Sequence, residues 1–249
     1  MTVPIRPRDW VRATVSRVRS ETPNARTIAI DVPGWPGHAP GQHVDIRLTA
    51  PDGYTASRSY SIASSSASGA VEVTVDRLDD GEVSPYLVDV VVPGDQLEVR
   101  GPAGRWFVWT ADAPGTAPRP VQLVAGGSGI VPLMAMIRTH DDIHSTTPFR
   151  LLYSVRSPEL AIYRRELLER ASTGDSLAVH WAFTRSAPEG WAGGAARLDL
   201  SAVRRGVFPP ELGAEVFVCG STPFAEAAAD WLLDLGHAHD DIRTERYGG

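Results

Sequence analysis

The fold is decided by a strand–turn–helix stretch, Val121-Gln-Leu-Val-Ala-Gly-Gly-Ser-Gly-Ile-Val-Pro132. Its first five residues are almost all apolar, as in a strand that is buried on both faces of a parallel sheet. The glycine-rich segment Gly126–Gly129 follows directly, at the position where glycines let a backbone approach a dinucleotide phosphate. Pro132 stands where the full Gly-x-Gly-x-x-Gly pattern has its last glycine, and a tight turn without a ligand is the alternative. The strand–helix context favours nucleotide binding.

The chain from this stretch onward alternates strands with helices. Compact apolar runs predict the strands Val121–Ala125, Phe149–Val155, Leu177–Phe183 and Val216–Cys219. Segments that begin with proline predict the helices Pro132–His140, Pro158–Ala171 and Pro223–Leu235, the last one closed by Gly236. This alternation predicts a parallel-sheet, Rossmann-like α/β domain over residues 121–249.

A break rich in Pro, Gly and Ala, residues 111–120, separates that domain from an earlier one. We place the first domain at 1–112 and a linker at 113–120. Short alternating apolar segments predict the strands Val11–Val18, Thr27–Val32, His43–Leu48, Arg58–Ile62, Val71–Leu78 and Gln96–Val99. Their spacing is typical of an antiparallel β-barrel, with one helix inserted near 84–91.

Composition excludes several classes of function. The net charge of −6 argues against a nucleic-acid partner, and the absence of an apolar leader or membrane-length run predicts a cytoplasmic protein with no membrane span. We expect a monomer. The single cysteine, Cys219, excludes a disulfide and a cysteine-ligated zinc or iron–sulfur cluster within these residues. Metal-based electron transfer would therefore involve another protein.

Two segments of the first domain could hold an anion. On an extended strand Arg58 and Tyr60 point to one face, which would offer a cation and a ring to a ligand with a phosphate and a flat group. In Gly81-Glu82-Val83-Ser84-Pro85, Ser84 is predicted to cap a helix whose free amides face the segment Gly81–Ser84. The alternatives are an ordinary strand edge and a well-capped helix.

Two further segments follow strands of the second domain. Cys219-Gly220-Ser221-Thr222-Pro223 ends a strand at the sheet edge where ligands of parallel sheets bind, although a lone cysteine there is more often a small buried hydrophobe. The tail Asp240–Tyr247 alternates as a strand would, so that Glu245 and Tyr247 share one face. A solvated terminal strand is the alternative.

Together these motifs resemble the ferredoxin–NADP⁺ reductase superfamily over nearly the whole chain. The ordered set is Pro40-Gly41-Gln42, Arg58-x-Tyr60-Ser61, Gly81-x-x-Ser84, Gly101-Pro102-x-Gly104, the glycine turn, Cys219-Gly220 and Glu245-x-Tyr247. The resemblance implies a flavin-binding antiparallel barrel followed by a nicotinamide-nucleotide domain, in a stand-alone FAD/NAD(P)H oxidoreductase without an iron–sulfur domain.

The resemblance also implies roles on the flavin side. Arg58 and the amides near Ser84 would hold the flavin pyrophosphate, which favours FAD over FMN. Tyr60 would pack on the isoalloxazine, and Ser61 would hydrogen-bond near its reactive N5. The further flavin-binding positions implied are Ser59, Val75, Asp76, Arg77, Gly81, Glu82 and Val83.

On the nicotinamide side, Cys219 would lie beside the nicotinamide C4 and Glu245 would help to pass a proton to the flavin. Tyr247 resembles the terminal aromatic that covers the flavin ring until nicotinamide displaces it, although Gly248 and Gly249 follow it here. The nucleotide itself would contact Gly127, Ser128, Gly129, Ile130, Pro132, Gly220 and Phe224. Thr184-Arg185 resembles the pair that holds the 2′-phosphate of NADP, and Arg156 lies after the neighbouring strand. The sequence thus leans to NADP and leaves NAD open.

The resemblance implies a converter that takes hydride from NAD(P)H and passes electrons singly to a separate protein, namely a ferredoxin, an oxygenase component or a metalloenzyme component. Two alternatives stay open. One is an NAD(P)H-dependent reductase of free flavin or ferric chelates, and the other is a non-catalytic flavoprotein relay subunit.

Overall fold

The computed structural model describes residues 9–111, 117–173 and 176–247. The chain forms two compact units. The first takes the described residues of Met1–Thr110 together with Met134–Ile143, and the second takes those of Ala111–Leu133 and His144–Gly249. Residues 113–116 of the predicted linker lie outside the described part.

The first unit is built on a six-stranded antiparallel sheet. Its strands are β1 (Val11–Thr22), β2 (Ala25–Asp31), β3 (His43–Thr49), β4 (Thr55–Ser61), β5 (Val71–Asp76) and β6 (Gln96–Ala103). They are hydrogen bonded in the order β4-β3-β6-β1-β2-β5. A bridge between Ile62 and Val73 links the end of β4 to β5, which joins the two edges and closes the sheet into the predicted barrel.

Strand alternation sets which side chains of β4 face inward. On β3, Val44 and Ile46 are fully buried, because every second residue of the strand points to the core. Register pairs Val44 with Tyr60 and Ile46 with Arg58. Directly opposed residues project on the same face, so Arg58 and Tyr60 leave β4 on the side of the core.

The helix predicted near 84–91 is a π-helix, Tyr86–Val90, preceded by two helical residues, Ser84 and Pro85. The prediction that the Ser84 side chain caps this helix is wrong. Its hydroxyl accepts a hydrogen bond from the Leu78 amide at 3.1 Å, and therefore closes the preceding turn instead.

The second unit is built on a five-stranded parallel sheet, as predicted. Its strands are β7 (Val121–Gly126), β8 (Phe149–Val155), β9 (Leu177–Phe183), β10 (Glu215–Ser221) and β11 (Ile242–Tyr247). They lie in the order β11-β10-β7-β8-β9, with every pairing parallel. The central strand β7 is buried at all its residues, which explains its continuous apolar run.

The helices of the described part are α1 (Ile130–Asp142), α2 (Arg164–Thr173), α3 (Leu200–Gly206) and α4 (Thr222–Asp234). α2 begins later than the predicted Pro158, because Pro158–Leu160 forms a separate 3₁₀ turn. α3 has no counterpart among the predicted helices. Asp199 caps it by accepting a hydrogen bond from the Ala202 amide at 2.7 Å. None of the helices described is long and apolar enough to cross a bilayer.

The tail forms a strand shorter than predicted. A 3₁₀ turn at His239–Asp241 delays the start of β11 to Ile242. β11 then pairs with β10 so that Glu245 lies beside Cys219. Gly248 and Gly249 lie outside the described residues.

Candidate functional site

Strand β4 of the first unit, called the flavin strand below, presents a cation and a ring on one face. The Tyr60 ring is partly buried against the barrel core. Burial raises the pKa of Tyr60 to about 12, so its phenol is neutral at physiological pH. The Arg58 side chain is 52% exposed on the same face. A flat ligand with a phosphate would therefore find both groups in line along the strand.

Glu82 connects the flavin strand to the turn before the π-helix. Its Oε2 accepts from Arg58 Nη2 at 2.6 Å, and its Oε1 accepts from the Tyr54 hydroxyl at 2.5 Å. These two hydrogen bonds lower the pKa of Glu82, the bond from Tyr54 contributing most. The structure thus brings the predicted cation, Arg58, to the predicted Gly81–Ser84 segment.

Gly81 has no room for a side chain in that turn. A Cβ atom there would lie 2.7 Å from the Ser84 Oγ and 3.1 Å from the Leu78 carbonyl oxygen. The Gly81 amide donates to the same carbonyl at 2.9 Å. The turn is tight, and it places the start of the helical segment beside the guanidinium that Glu82 holds.

Several predicted flavin-binding residues direct their side chains elsewhere. The Ser59 hydroxyl donates to Asp45 at 2.6 Å on the outer face of the barrel. Val75 and Val83 are fully buried in the core. The Arg77 guanidinium pairs with Asp89 at 2.8 Å and with Asp79. The side chains of Val75 and Val83 are therefore not accessible to a ligand.

The side chains on the flavin strand are chemically suited to the two parts of FAD, its diphosphate and its planar ring. An exposed guanidinium is the expected partner of a diphosphate, and a neutral, half-buried phenol ring is the expected partner of a planar ring system. Ser61 follows Tyr60 at the end of the strand, partly exposed.

The second unit gathers its candidate groups where β7, β10 and β11 end, an area called the nucleotide edge below. Packing within the chain already explains why glycine is needed at several positions of this edge. A Cβ on Gly126 would lie 2.6 Å from the Phe224 ring, and one on Gly129 would overlap the Cys219 carbonyl. Gly127 has a φ of 56°, a conformation that side chains disfavour. Close packing and one left-handed residue therefore both require glycine here.

Cys219 and Glu245 are neighbours on adjacent strands of this edge. The Cys219 thiol is 2% exposed, and burial together with the Glu245 carboxylate raises its pKa well above the ordinary value. It is therefore a neutral thiol, not the thiolate that nucleophilic catalysis needs. Burial also raises the pKa of Glu245 from 4.5 to about 7, which lets this carboxyl gain and lose a proton near neutrality.

Tyr247 lies over the glycine turn of its own unit. Its hydroxyl donates to the Gly126 carbonyl at 2.7 Å, and the same hydroxyl would be 3.3 Å from a Cβ on Gly127. The side chain is partly exposed. Within the second unit, the aromatic predicted to cover a ring thus contacts the turn predicted to bind the nucleotide.

The loops that follow β8 and β9 are joined by backbone hydrogen bonds. The Thr184 amide donates to Val155 at 2.9 Å, and the Arg185 amide donates to Arg156, also at 2.9 Å. The Arg156 and Arg185 side chains are exposed, and neither has an ion-pair partner within residues 9–111, 117–173 and 176–247. Two adjacent loops therefore each carry an exposed guanidinium whose charge is not balanced by a carboxylate of the described residues.

Sequence reasoning missed the contribution of Tyr54. It lies four residues before Arg58, outside the motif, and contacts the site only through Glu82, which is 28 residues further along the chain. A tyrosine in an Asp-Gly hairpin turn carries no signal of its own. Only the register of β3 and β4 places it beside the turn.

Comparison with known proteins assigns a family to each of the two units. Residues 13–108 match the family of oxidoreductase FAD-binding domains, and residues 123–230 match the oxidoreductase NAD-binding domains. The chain is 35% identical over 236 residues to the glycine betaine monooxygenase reductase subunit of Pseudomonas aeruginosa, covering 93% of the chain and 63% of that protein. It is 31% identical to the ferredoxin reductase component of 3-ketosteroid-9-alpha-monooxygenase from Mycolicibacterium smegmatis, covering 93% and 64%.

A solved structure shares the fold. The FAD/NAD-binding domain of nitric oxide dioxygenase from Vibrio cholerae superposes with a TM-score of 0.83 at 23% identity, covering 97% of this chain and 100% of that domain. The curated relatives above are longer, since the chain spans 63% and 64% of their lengths. In each of them the matched region covers more than nine tenths of this chain, and so spans both of its units.

Proposed function

Since the chain belongs to the ferredoxin–NADP⁺ reductase superfamily, we propose that it is an FAD-dependent oxidoreductase that takes hydride from NAD(P)H and passes electrons singly to a separate redox protein. The observation that carries the proposal is the pairing, on one chain, of a flavin strand with a nucleotide edge that holds a carboxyl titrating near pH 7. Bound FAD would supply the two-electron and one-electron chemistry itself. The residues supply binding, orientation and proton handling.

On the flavin strand, we assign Arg58 to the diphosphate and Tyr60 to the flavin ring. A guanidinium can bind a diphosphate bidentately, and that of Arg58 is 52% exposed, with Nη2 donating to Glu82 and Nη1 donating to the Ser57 carbonyl. Ser61, at the end of the strand, is assigned to the reactive edge of the ring. The backbone at Gly81–Ser84 completes the clamp, while the Ser84 hydroxyl holds the turn in place.

At the nucleotide edge, we assign Glu245 to proton transfer and Cys219 to packing beside the nicotinamide. Glu245 titrates near neutrality, which suits a residue that must both receive and release a proton in each turnover. Cys219 is a buried, neutral and polarizable thiol, so it can contact a planar ring without attacking it.

For the hydride donor, we propose NADPH over NADH. Arg156 and Arg185 carry guanidiniums that no carboxylate of the described residues neutralises. The extra 2′-phosphate of NADPH needs a cation there, whereas NADH does not. Stopped-flow reduction of wild type and of Arg185→Met should show a larger loss of apparent affinity for NADPH than for NADH. Equal losses would refute the assignment.

For the electron acceptor, we propose an oxygenase component or a ferredoxin that serves one. Two relatives that cover 93% of this chain are named as a reductase subunit or a reductase component of a monooxygenase. Steady-state turnover with a ferredoxin or oxygenase component should exceed turnover with free flavin or ferric citrate. The reverse order would favour a small-molecule reductase.

The test of the whole proposal is anaerobic reduction of the FAD-loaded protein. NADPH should bleach the flavin absorbance within seconds, and Glu245→Gln should slow this step without preventing FAD binding. If neither NADPH nor NADH changed the flavin spectrum, the enzyme proposal would be refuted, and a non-catalytic relay subunit would be the remaining interpretation.

A further inference from the structure

The chain changes its strand partner at Ser61, the residue assigned above to the reactive edge of the flavin ring. Up to Ser61, β4 is paired with β3, and His43 lies opposite Ser61. Directly after it, Ile62 forms a bridge to Val73 of β5. Ser61 therefore stands at a corner of the barrel. The residues that follow, Ile62–Ser66, are called the corner segment below, and they fix where the flavin strand ends.

Hydrogen bonds from α1 hold the corner segment at two points. The C-terminal part of α1 belongs to the first unit. Arg138 Nη1 donates to the Ala63 carbonyl at 2.8 Å, and the Thr139 hydroxyl accepts from the Ser66 amide at 3.0 Å. Ala63 is fully buried, and a buried carbonyl without a donor would cost free energy. The guanidinium thus acts two residues beyond the end of the flavin strand.

Glu72 completes the arrangement around that guanidinium. Its carbonyl accepts from the Ala63 amide at 2.7 Å, and its Oε2 lies 3.5 Å from Arg138 Nη1. Its other carboxylate oxygen, Oε1, accepts at 2.6 Å from Arg17, whose side chain is 71% exposed. Both backbone groups of Ala63 are therefore held, one by Glu72 and the other by the arginine that pairs with Glu72.

Burial of Arg138 is a costly way to satisfy one carbonyl. The residue is only 8% exposed, and the cost of taking a guanidinium out of water can exceed what its ion pair returns. A neutral donor would satisfy a carbonyl at a lower cost. A planar guanidinium instead donates in fixed directions, here toward the Ala63 carbonyl and the Glu72 carboxylate. This arrangement favours a role in geometry over a role in stability.

We propose that Arg138 is a positioning residue for hydride transfer, which holds the corner segment so that Ser61 meets the reactive edge of the flavin. The inference rests on the proposed function, because it concerns the residue assigned there to that edge. Arg138 acts through the backbone of Ala63. Its loss should therefore slow reduction of the flavin and leave FAD affinity intact, since Arg58 and Tyr60 are unchanged.

The first measurement is amide hydrogen exchange of the flavin-stripped protein. Arg138→Met removes the guanidinium and keeps the aliphatic stem, so the amides of Ile62 and Ala63, which donate to neighbouring carbonyls, should exchange about tenfold faster. Arg138→Lys keeps a buried cation that can donate to the same carbonyl, and it should restore most of the protection. Arg17→Met removes the other partner of Glu72 and should leave exchange in the corner segment unchanged.

The second measurement is anaerobic stopped-flow reduction of the FAD-loaded protein over a range of NADPH concentrations. In Arg138→Met the limiting rate constant should fall about tenfold, since a small displacement of a group at the reacting centre costs much of the rate. The NADPH concentration for half-maximal rate and the Kd of FAD should stay within about twofold of wild type. Arg138→Lys should recover the rate, and Arg17→Met should not change it.

Two results would overturn the inference while the proposed function stands. One is unchanged exchange at Ile62 and Ala63 in Arg138→Met. The other is an unchanged limiting rate constant, whether or not FAD affinity falls, which would make Arg138 a purely structural residue of the barrel. If Arg138→Met does not fold, Arg138→Gln takes its place with the same expected results, because its side chain is polar but too short to reach the Ala63 carbonyl.

Failure of the proposed function itself would give a different result. Wild-type protein whose flavin is reduced by neither NADPH nor NADH would refute that function, and the inference with it, even if hydrogen exchange showed that Arg138 holds the corner segment.

Discussion

The flavin strand and the nucleotide edge present their functional groups in opposite ways. On the flavin strand the charged groups are exposed, and Arg58 and Glu82 form an ion pair in contact with water. At the nucleotide edge Cys219 is buried and Glu245 is partly buried, and the loss of solvation is the first cause of their raised pKa values. Exposed ion pairs add little to folding stability, whereas buried ionisable groups and close packing affect it strongly. Changes on the flavin strand should therefore alter binding, and changes at the nucleotide edge should alter folding as well.

The largest effect is expected from Gly129→Ala at the nucleotide edge. The new Cβ would overlap the Cys219 carbonyl, and a backbone neighbour cannot move aside cheaply. We expect a loss of about 4 kcal/mol in the free energy of unfolding, the upper range for a single substitution. Urea unfolding followed by tryptophan fluorescence measures it.

Gly213→Ala provides the control for that variant. Gly213 has a φ of 60° and nothing within 4 Å of a Cβ, so only backbone strain of about 1 kcal/mol is expected. Similar losses in the two variants would show that the strand ends are less tightly packed than the structure has them.

The second effect concerns the pH dependence of folding through Glu245. Its pKa is raised from 4.5 to about 7 in the folded chain. Between these values only the unfolded chain releases the proton, so the free energy of unfolding falls as pH rises and the loss is complete above about pH 7. The total is about 3 kcal/mol. Glu245→Gln should remove this slope.

Glu226→Gln is the matched control, since Glu226 is an exposed carboxylate paired with Arg246 at 3.0 Å. Denaturant unfolding at pH 5 and pH 8 compares the two variants with wild type. If Glu226→Gln flattened the profile as much as Glu245→Gln, burial of Glu245 would not be its cause.

The third effect belongs to the flavin strand. Arg58→Met keeps the aliphatic stem and removes the guanidinium, so FAD affinity should fall by about 2 kcal/mol, the contribution of a charged hydrogen bond. The free energy of unfolding should stay within 0.5 kcal/mol of wild type, as is usual for exposed positions. Arg17→Met removes another exposed arginine of the same barrel, one paired with Glu72 at 2.6 Å, and should leave FAD affinity intact.

These contrasts also show what the sequence could predict. Compact, largely apolar runs identified β8 and β9 to the residue, although β9 lies at the edge of the sheet and is only partly buried. Such runs could not identify α3, which is short and held by the Asp199 cap and tertiary packing. Nor could the sequence show that Ser84 binds back to Leu78, since a serine before a proline predicts a cap equally well.

The sequence predicted which segments of the flavin site lie together, but not which side chains pair with each other there. Arg58 and the segment Gly81–Ser84 come together as expected, yet Glu82 lies 24 residues from Arg58 and their ion pair depends on the closed barrel. At the nucleotide edge, the glycines predicted to admit a phosphate also admit Phe224 and the Cys219 backbone. A glycine motif indicates only that there is no room for a side chain, and the structure is needed to show which neighbouring group occupies that space.

The smallest effect on folding is expected when a single hydroxyl oxygen is removed from a tyrosine in each of the two regions. Tyr247→Phe deletes the hydrogen bond to the Gly126 carbonyl, which holds the end of β11 at the nucleotide edge, and should cost about 1 kcal/mol in unfolding free energy. Hydrogen exchange should become faster in Ile242–Tyr247. Tyr54→Phe deletes the bond to Glu82 on the exposed side of the flavin strand and should leave folding unchanged. Equal effects of the two substitutions would mean that burial does not separate the two regions, because each variant loses a single hydroxyl and keeps its ring.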